Sequence, residues 1–456
     1  MNRVGAFSRS MGFKAMLIAI LILVMLVPAA LVRQVVRERS SRANEVEQDI
    51  LESWGGELLL AGPVLRIPCR RLEEVKRLDA DGRETREFKE VTFDLWVSPA
   101  RVEIAADLKT SRKSRGIFSV PVFSGLVAMT GDFDATEAIA SLGERETARL
   151  EQAEIVVSID NQKGIRGLER ASWEGAPLAF KPGDSGLGLL AGGIVAPVVV
   201  APGRRSPFDI GLRVQGGRRV RILPLGEATS ASIAADWPAP SFQGSYLPGS
   251  QSLDERGFAA TWDISYLSRG IPLYWIGSGG TSDRLTRSFF GVDLIEPLDL
   301  YALNDRAVKY AILFIIVPFM TLFMLELFSR REIHPIQYLL AGLAAMVFYL
   351  LLLSLSEHIP FGAAYLSSAA AVSLMVFMYS WSLFGDIGKA WYMGPVMTLS
   401  YLYLFITLQS EDWALLIGAV GAFGVVGLVM FVTRNVNWYG RNHRIQAPEP
   451  QPADGE

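Results

Sequence analysis

The chain of 456 residues is half apolar, carries a formal charge of −3 and contains one cysteine, Cys69. The overall balance says little about partners, although the middle of the chain is not strongly basic, which argues against nucleic acid, and a lone cysteine excludes an intramolecular disulfide. These averages conceal a segregation, because apolar residues gather at the two ends and charged residues in the middle.

Residues 15–32 (AMLIAILILVMLVPAALV) contain no charge before Arg33, a run long enough to cross the roughly 30 Å hydrocarbon core as one helix. A basic start and small residues at Pro28-Ala29-Ala30 also fit a cleaved signal peptide. Its length and the lack of a clean cleavage site favour an uncleaved anchor, and the middle of the chain is exported in either case. The next stretch, SSRANEVEQDILESWGG, spaces Val46, Ile50, Leu51 and Trp54 at helical intervals before a Gly-Gly stop. That pattern predicts an amphipathic helix leading out of the bilayer.

Beyond it the period changes to two. Val91, Phe93, Leu95 and Val97 share one face of VTFDLWV, and Phe258, Ala260, Trp262, Ile264 and Tyr266 one face of GFAATWDISY, as in half-buried strands. Asp81-Gly82 and Gly216-Gly217 are expected to close β-hairpins, the second joining FDIGLRVQ to RRVRILPL. The middle is therefore expected to be mostly antiparallel β and sandwich-like. A helical interlude at 135–142, or the Gly- and Pro-rich stretch 181–203, is the candidate boundary between two lobes. Within that stretch Gly186, Gly188 and Ala191 match a dinucleotide-binding spacing, but no apolar strand precedes them and Pro197 interrupts the segment after them. No cofactor is inferred. Trp237, Phe242 and Tyr246 in WPAPSFQGSYLP form a candidate partner surface, although large aromatics more often belong to a core.

From Ala307 onward five apolar runs succeed one another, at about 309–328, 336–355, 361–384, 390–409 and 413–432. Six spans are expected in all: residues 1–36 as amino-terminal tail and anchor, 37–306 as a β-rich exported domain, 307–433 as a five-helix membrane domain and 434–456 as a disordered tail. Arg3, Arg9 and Lys14, then Arg330 and Arg331, Lys389, and Arg434, Arg441 and Arg444 place both termini in the cytoplasm, while the loops around 356–360 and 409–412 contain no Lys or Arg. Arg33, Arg37, Arg39 and Arg42 argue the other way, but long domains translocate largely regardless of charge.

Polar residues at the rims of these spans form two candidate groups. Glu357, His358, Ser354 and Ser356 end one helix, and Glu411 and Asp412 lie at the same depth on the expected topology. At the inner edge Glu326 stands four residues before Arg330, with His334 and Gln337 beyond them. An ion path, a transporter or a membrane-edge enzyme would use such residues. No H-E-x-x-H, G-x-S-x-G or Walker A motif accompanies them, so no metal ligand or catalytic residue is assigned.

The strings RGIFSVPVF, WPAPSFQGSYLP, FFGVDLIEPLDLY, RAVKYAILF, IHPIQYLLAG and FYLLLLSLSEH resemble the CreD family of bacterial inner-membrane proteins over nearly the whole chain. The resemblance implies a multi-pass inner-membrane protein associated with envelope integrity and produced under two-component control. It implies no reaction. The expected partners are the lipid bilayer and an envelope protein or lipid, with no nucleic acid.

Overall fold

The computed structural model describes residues 11–434 except 79–83, 188, 189, 191, 278–284, 286, 297, 298, 330, 331, 411 and 412. The expected hairpin turn at Asp81-Gly82 and the motif positions Gly188 and Ala191 lie outside the described residues. The chain divides into two compact units, one formed by residues 1–42 and 298–456, the other by residues 43–297.

The amino-terminal helix α1 (Met11–Trp54) is continuous over 44 residues, with Pro28 inside it. Anchor and amphipathic stretch are thus one element, because nothing between Arg33 and Glu45 breaks a helix. Its far end behaves as the spacing predicts: Ile50 and Leu51 are buried beside Val120, and the backbone N–H groups of Gly55 and Gly56 both donate to Leu51 O (3.0 and 2.7 Å).

The second unit holds two mixed sheets. In the first, β1 (Leu58–Leu78) pairs antiparallel with β2 (Glu84–Val97) from Leu78↔Glu84 to Leu65↔Val97, flanking the expected first hairpin. In the second, β3 (Arg101–Arg115) and β4 (Phe118–Phe133) form a long antiparallel ladder. Further along, β5 (Ala153–Ile159) and β6 (Gly192–Val198) join the first sheet, and Lys181–Gly183 pairs with β6, so two parts of the stretch 181–203 are built into that sheet. The helical interlude is one short helix, Thr136–Ala140.

Strand β7 (Ser206–Gly217) pairs with β4 in the second sheet, whereas β8 (Arg219–Leu223) runs parallel to β1 in the first. The expected Gly216-Gly217 hairpin therefore does not form. Here the chain crosses between sheets, and the positive φ falls on Arg218 (60°) rather than on the glycines. Those glycines serve close approach instead: a Cβ at Gly216 would lie 2.8 Å from the Phe123 ring and 3.0 Å from Gly56 O. Gly217 N–H donates to that same carbonyl at 2.9 Å.

Alternation supplies the core. Val102, Ile104, Ala106 and Leu108 of β3 are buried with exposed residues between them. In Gly257–Ser265, Phe258, Ala260, Trp262 and Ile264 are buried likewise. They share one apolar cluster with Ile67, Leu95, Val157 and Ile194 of the first sheet. Trp96 points into a separate cluster, stacked on Trp275 at 6.4 Å, with Gly186 against its ring. Burying both faces at that end departs from the half-buried strand expected of VTFDLWV.

The other unit contains α2 (Leu300–Lys309), α3 (Ala311–Ser329), α4 (Pro335–Ser356), α5 (Phe361–Phe384), α6 (Met393–Gln409) and α7 (Ala414–Thr433). Helices α1, α4 and α5 are long and apolar enough to cross a bilayer, and the pair α2 and α3, bent by 46°, makes a fourth if it is one broken span. Helices α6 and α7 coincide with the last two expected runs, α6 being shorter at 17 residues and α7 extending over 20. Leu366, Leu374 and Met378 of α5 and Phe423 of α7 are exposed, as apolar residues facing lipid are.

Two outcomes are expected. Gly216→Val should cost about 1–3 kcal/mol by overpacking, read as a lowered midpoint of urea unfolding. Burial pushes the Cys69 thiol up to about 11, so a thiol reagent at pH 8 should label it only after denaturation. Because the folded thiol holds its proton while the unfolded one releases it, stability should fall as pH rises from about 9 towards 11.

Candidate functional site

Helix α4 has a polar group at each end, and 22 residues at 1.5 Å each separate them by about 33 Å. At its start His334 is the N-cap, in a capping box with Gln337: His334 Nδ1 accepts from Ile336 N–H (3.4 Å) and Gln337 Oε1 from His334 N–H (2.8 Å). Both expected inner-edge residues thus hold the helix terminus. Close by, the buried Glu326 accepts from Lys14 Nζ (2.5 Å), Tyr338 OH (2.7 Å) and Ile333 N–H (3.1 Å). Its expected partner Arg330 lies outside the described residues. Lys14 and Tyr338, which sequence reasoning did not link to Glu326, complete the site.

At the other end Ser356 is buried, donating to Leu353 O (3.0 Å) and accepting from Asn304 Nδ2 (3.1 Å). The Glu357 carboxylate accepts from Tyr301 OH (3.2 Å) and has Arg39 Nε at 3.9 Å. His358 and Ser354 are exposed, and the His358 ring pairs through Nδ1 with Ser354 O at 3.0 Å. His358 is therefore not drawn into the network. Glu411 and Asp412 lie outside the described residues.

Beside this group, Asp305 accepts from Arg33 Nε (2.8 Å) and pairs with Lys309 Nζ (3.0 Å), with Arg37 Nε at 4.0 Å. Three of the four arginines that argued against the expected orientation, Arg33, Arg37 and Arg39, are thus paired with acids of α2 and the end of α4. The clue lay in the spacing: Tyr301, Asn304 and Asp305 sit at i, i+3 and i+4, which places them on one helix face. Their partners, 272 positions away for Arg33 and Asp305, carried no local signal.

Between the two ends α1 packs through Met25. A Cβ at Gly342 of α4 would lie 2.8 Å from Met25 Sδ and from the Phe319 ring, so glycine lets the helices approach as small residues do in membrane interfaces. Among the described residues no group of three or more His, Cys, Asp or Glu is arranged to hold a metal ion.

In the β-rich unit, Trp237 is buried and donates from Nε1 to Ile295 O (3.0 Å). Phe242 meets Phe258 and Trp262 edge-on, each at 5.9 Å. Tyr246 donates to Ser268 O (3.2 Å), and its carbonyl accepts from Trp262 Nε1 (3.1 Å). All three anchor their segment to the core. The open apolar residues nearby are Leu247 and Leu267, 74% and 78% exposed. Arg269, on the same turn as Leu267, is buried and donates to Pro224 O (2.6 Å), and burial pushes its guanidinium down to about 10.

Reversing one pair tests the tether. Arg33→Glu should lower the unfolding temperature of the detergent-solubilised chain, and adding Asp305→Arg should recover most of the loss, with a coupling of about 1 kcal/mol. Full additivity of the two losses would contradict it.

The family described as Inner membrane protein CreD matches residues 10–439. Inner membrane protein CreD of Escherichia coli (strain K12) is 31% identical over 426 residues, covering 92% of this chain and 91% of that protein. Among solved structures, an M1 zinc metallopeptidase variant from Deinococcus radiodurans aligns with 13% identity over 40% of this chain and 42% of its own, at a TM-score of 0.23. A second, substrate-bound form aligns with 12% identity over 71% and 93%, also at 0.23. Similarity at that level carries no weight for fold or chemistry. The length and identity of the first two matches do, and the chain belongs to the CreD family of inner membrane proteins.

Proposed function

We propose that the chain is a multi-pass protein that supports cell-envelope integrity by holding its β-rich domain, about residues 37–306, against another envelope component in the periplasm. One observation carries this reading. The residues before and after the β-rich unit belong to a single helical unit, so the domain is an insertion attached at both ends. Such attachment limits how far the domain can stray from the bilayer and raises its local concentration for a partner there.

On this reading the bent pair α2 and α3 is one span, which with α1, α4, α5, α6 and α7 makes six crossings, and both termini lie in the cytoplasm. The β domain is a sandwich-like pairing of its two sheets. The partner surface is the open end of the aromatic segment at Leu247 together with Leu267 of the turn 266–269, to which Tyr246 is hydrogen-bonded. Production under a two-component system, implied by the family resemblance, suits an envelope stress response.

The rival reading as ion path or membrane-edge enzyme draws less support. Glu326 and Glu357 stand at opposite ends of α4, and each is engaged by donors that hold helices together.

A reporter enzyme active only after export, inserted at the open turn of Gly203, should be active. A photocrosslinker at Leu247 should give a discrete adduct that is lost in Leu267→Asp, and Leu267→Asp should leak a periplasmic marker at wild-type protein levels. An inactive reporter would defeat the topology; no adduct together with an intact envelope in Leu267→Asp would defeat the partner surface.

A further inference from the structure

A cleft of about 320 Å³ opens beside Glu326, at the small end of the roughly 300–1,000 Å³ range of ligand sites. Its walls differ in character. Lys14, Glu332 and His334 supply polar groups, while Leu17 and Leu21 of α1 supply an apolar face. Lys14, Leu17 and Leu21 succeed one another at i, i+3 and i+7, a single helix stripe running from the charged end into the apolar run.

We propose that this cleft binds a zwitterionic phospholipid with an ammonium head group, its phosphate on Lys14 and His334, its ammonium at Glu332 and its acyl chain along Leu17 and Leu21. The donors in the cleft suit a phosphodiester. Lys14 gives one N–H to Glu326 and, with three in all, retains two. His334 Nδ1 accepts the capping bond from Ile336, so the neutral ring carries its proton on Nε2 and presents a second donor.

Charge then selects among phosphates. Among the described residues that line the cleft, two carboxylates, Glu326 and Glu332, stand against one lysine, a balance that disfavours an anionic lipid and favours a head carrying its own positive charge. The leucine stripe distinguishes a lipid from a free phosphoethanolamine, which has no apolar part to place there. This site is independent of the envelope role and of which leaflet it faces.

Full-length protein, purified in detergent and stripped of lipid, would be titrated with phosphatidylethanolamine, with phosphatidylglycerol of the same acyl chains, and with glycerophosphoethanolamine as head group alone, and adducts counted by native mass spectrometry. The expected result is retention of phosphatidylethanolamine at about fivefold lower concentration than phosphatidylglycerol, the ratio one exposed charge pair supports, with no adduct of the head group alone. Glu332→Gln and Leu17→Trp should each abolish that preference at unchanged unfolding temperature; if one variant unfolds early, the other decides. Equal retention of both lipids, wild-type preference in the correctly folded variants, or an adduct of the head group alone would overturn the proposal.

Discussion

Within a bilayer there is no hydrophobic force to draw one apolar helix against another, so the place of α1 depends on close packing and on polar contacts at two points along it. Lys14 reaches Glu326 and Arg33 reaches Asp305. Nineteen residues of helix separate the two basic residues, about 29 Å at 1.5 Å each, which matches the roughly 30 Å hydrocarbon thickness. The charges at both positions are paired, and α4, which runs alongside, carries none. Close packing of Met25 on Gly342 fills the interval.

The β-rich unit solves a different problem. With no disulfide available to its single cysteine, it relies on a large apolar core to which both sheets contribute. The two sheets share one chain, and the crossing at 217–219 needs bare backbone more than it needs a turn: Gly216 lies against Phe123 and the Gly56 carbonyl and Gly217 against Leu51 and the Pro121 carbonyl, where a side chain would push them apart. The aromatic segment at 237–246 ties the outer part of this unit to the same core, since Trp237, Phe242 and Tyr246 commit their rings and polar tips to internal contacts.

Much of this was legible in local pattern. The alternation from Phe258 to Ile264, though not its expected last position Tyr266, which begins a short helix, and the helical spacing of Ile50 and Leu51 are realised, because inward-facing residues recur with the period of the element that carries them. His334 and Gln337 were visible as a pair at i and i+3, yet their use as a capping box emerges only with the helix start. The rim group around Glu357 was half legible. Ser356 and Glu357 stood out at the end of a leucine run, whereas Tyr301, Asn304 and Arg39 come from elsewhere in the chain and His358 bonds locally.

What the sequence alone determined is therefore the alternation of apolar helices, a β-rich middle and charged rims, since hydrophobic period and run length are local quantities. Tertiary structure decided which charges meet, which strands adjoin and which glycines act by absence of a side chain. Those outcomes depend on groups that stand far apart in the chain, such as Arg33 and Asp305, or Leu58 and Val220, and no short-range period encodes the contact between them.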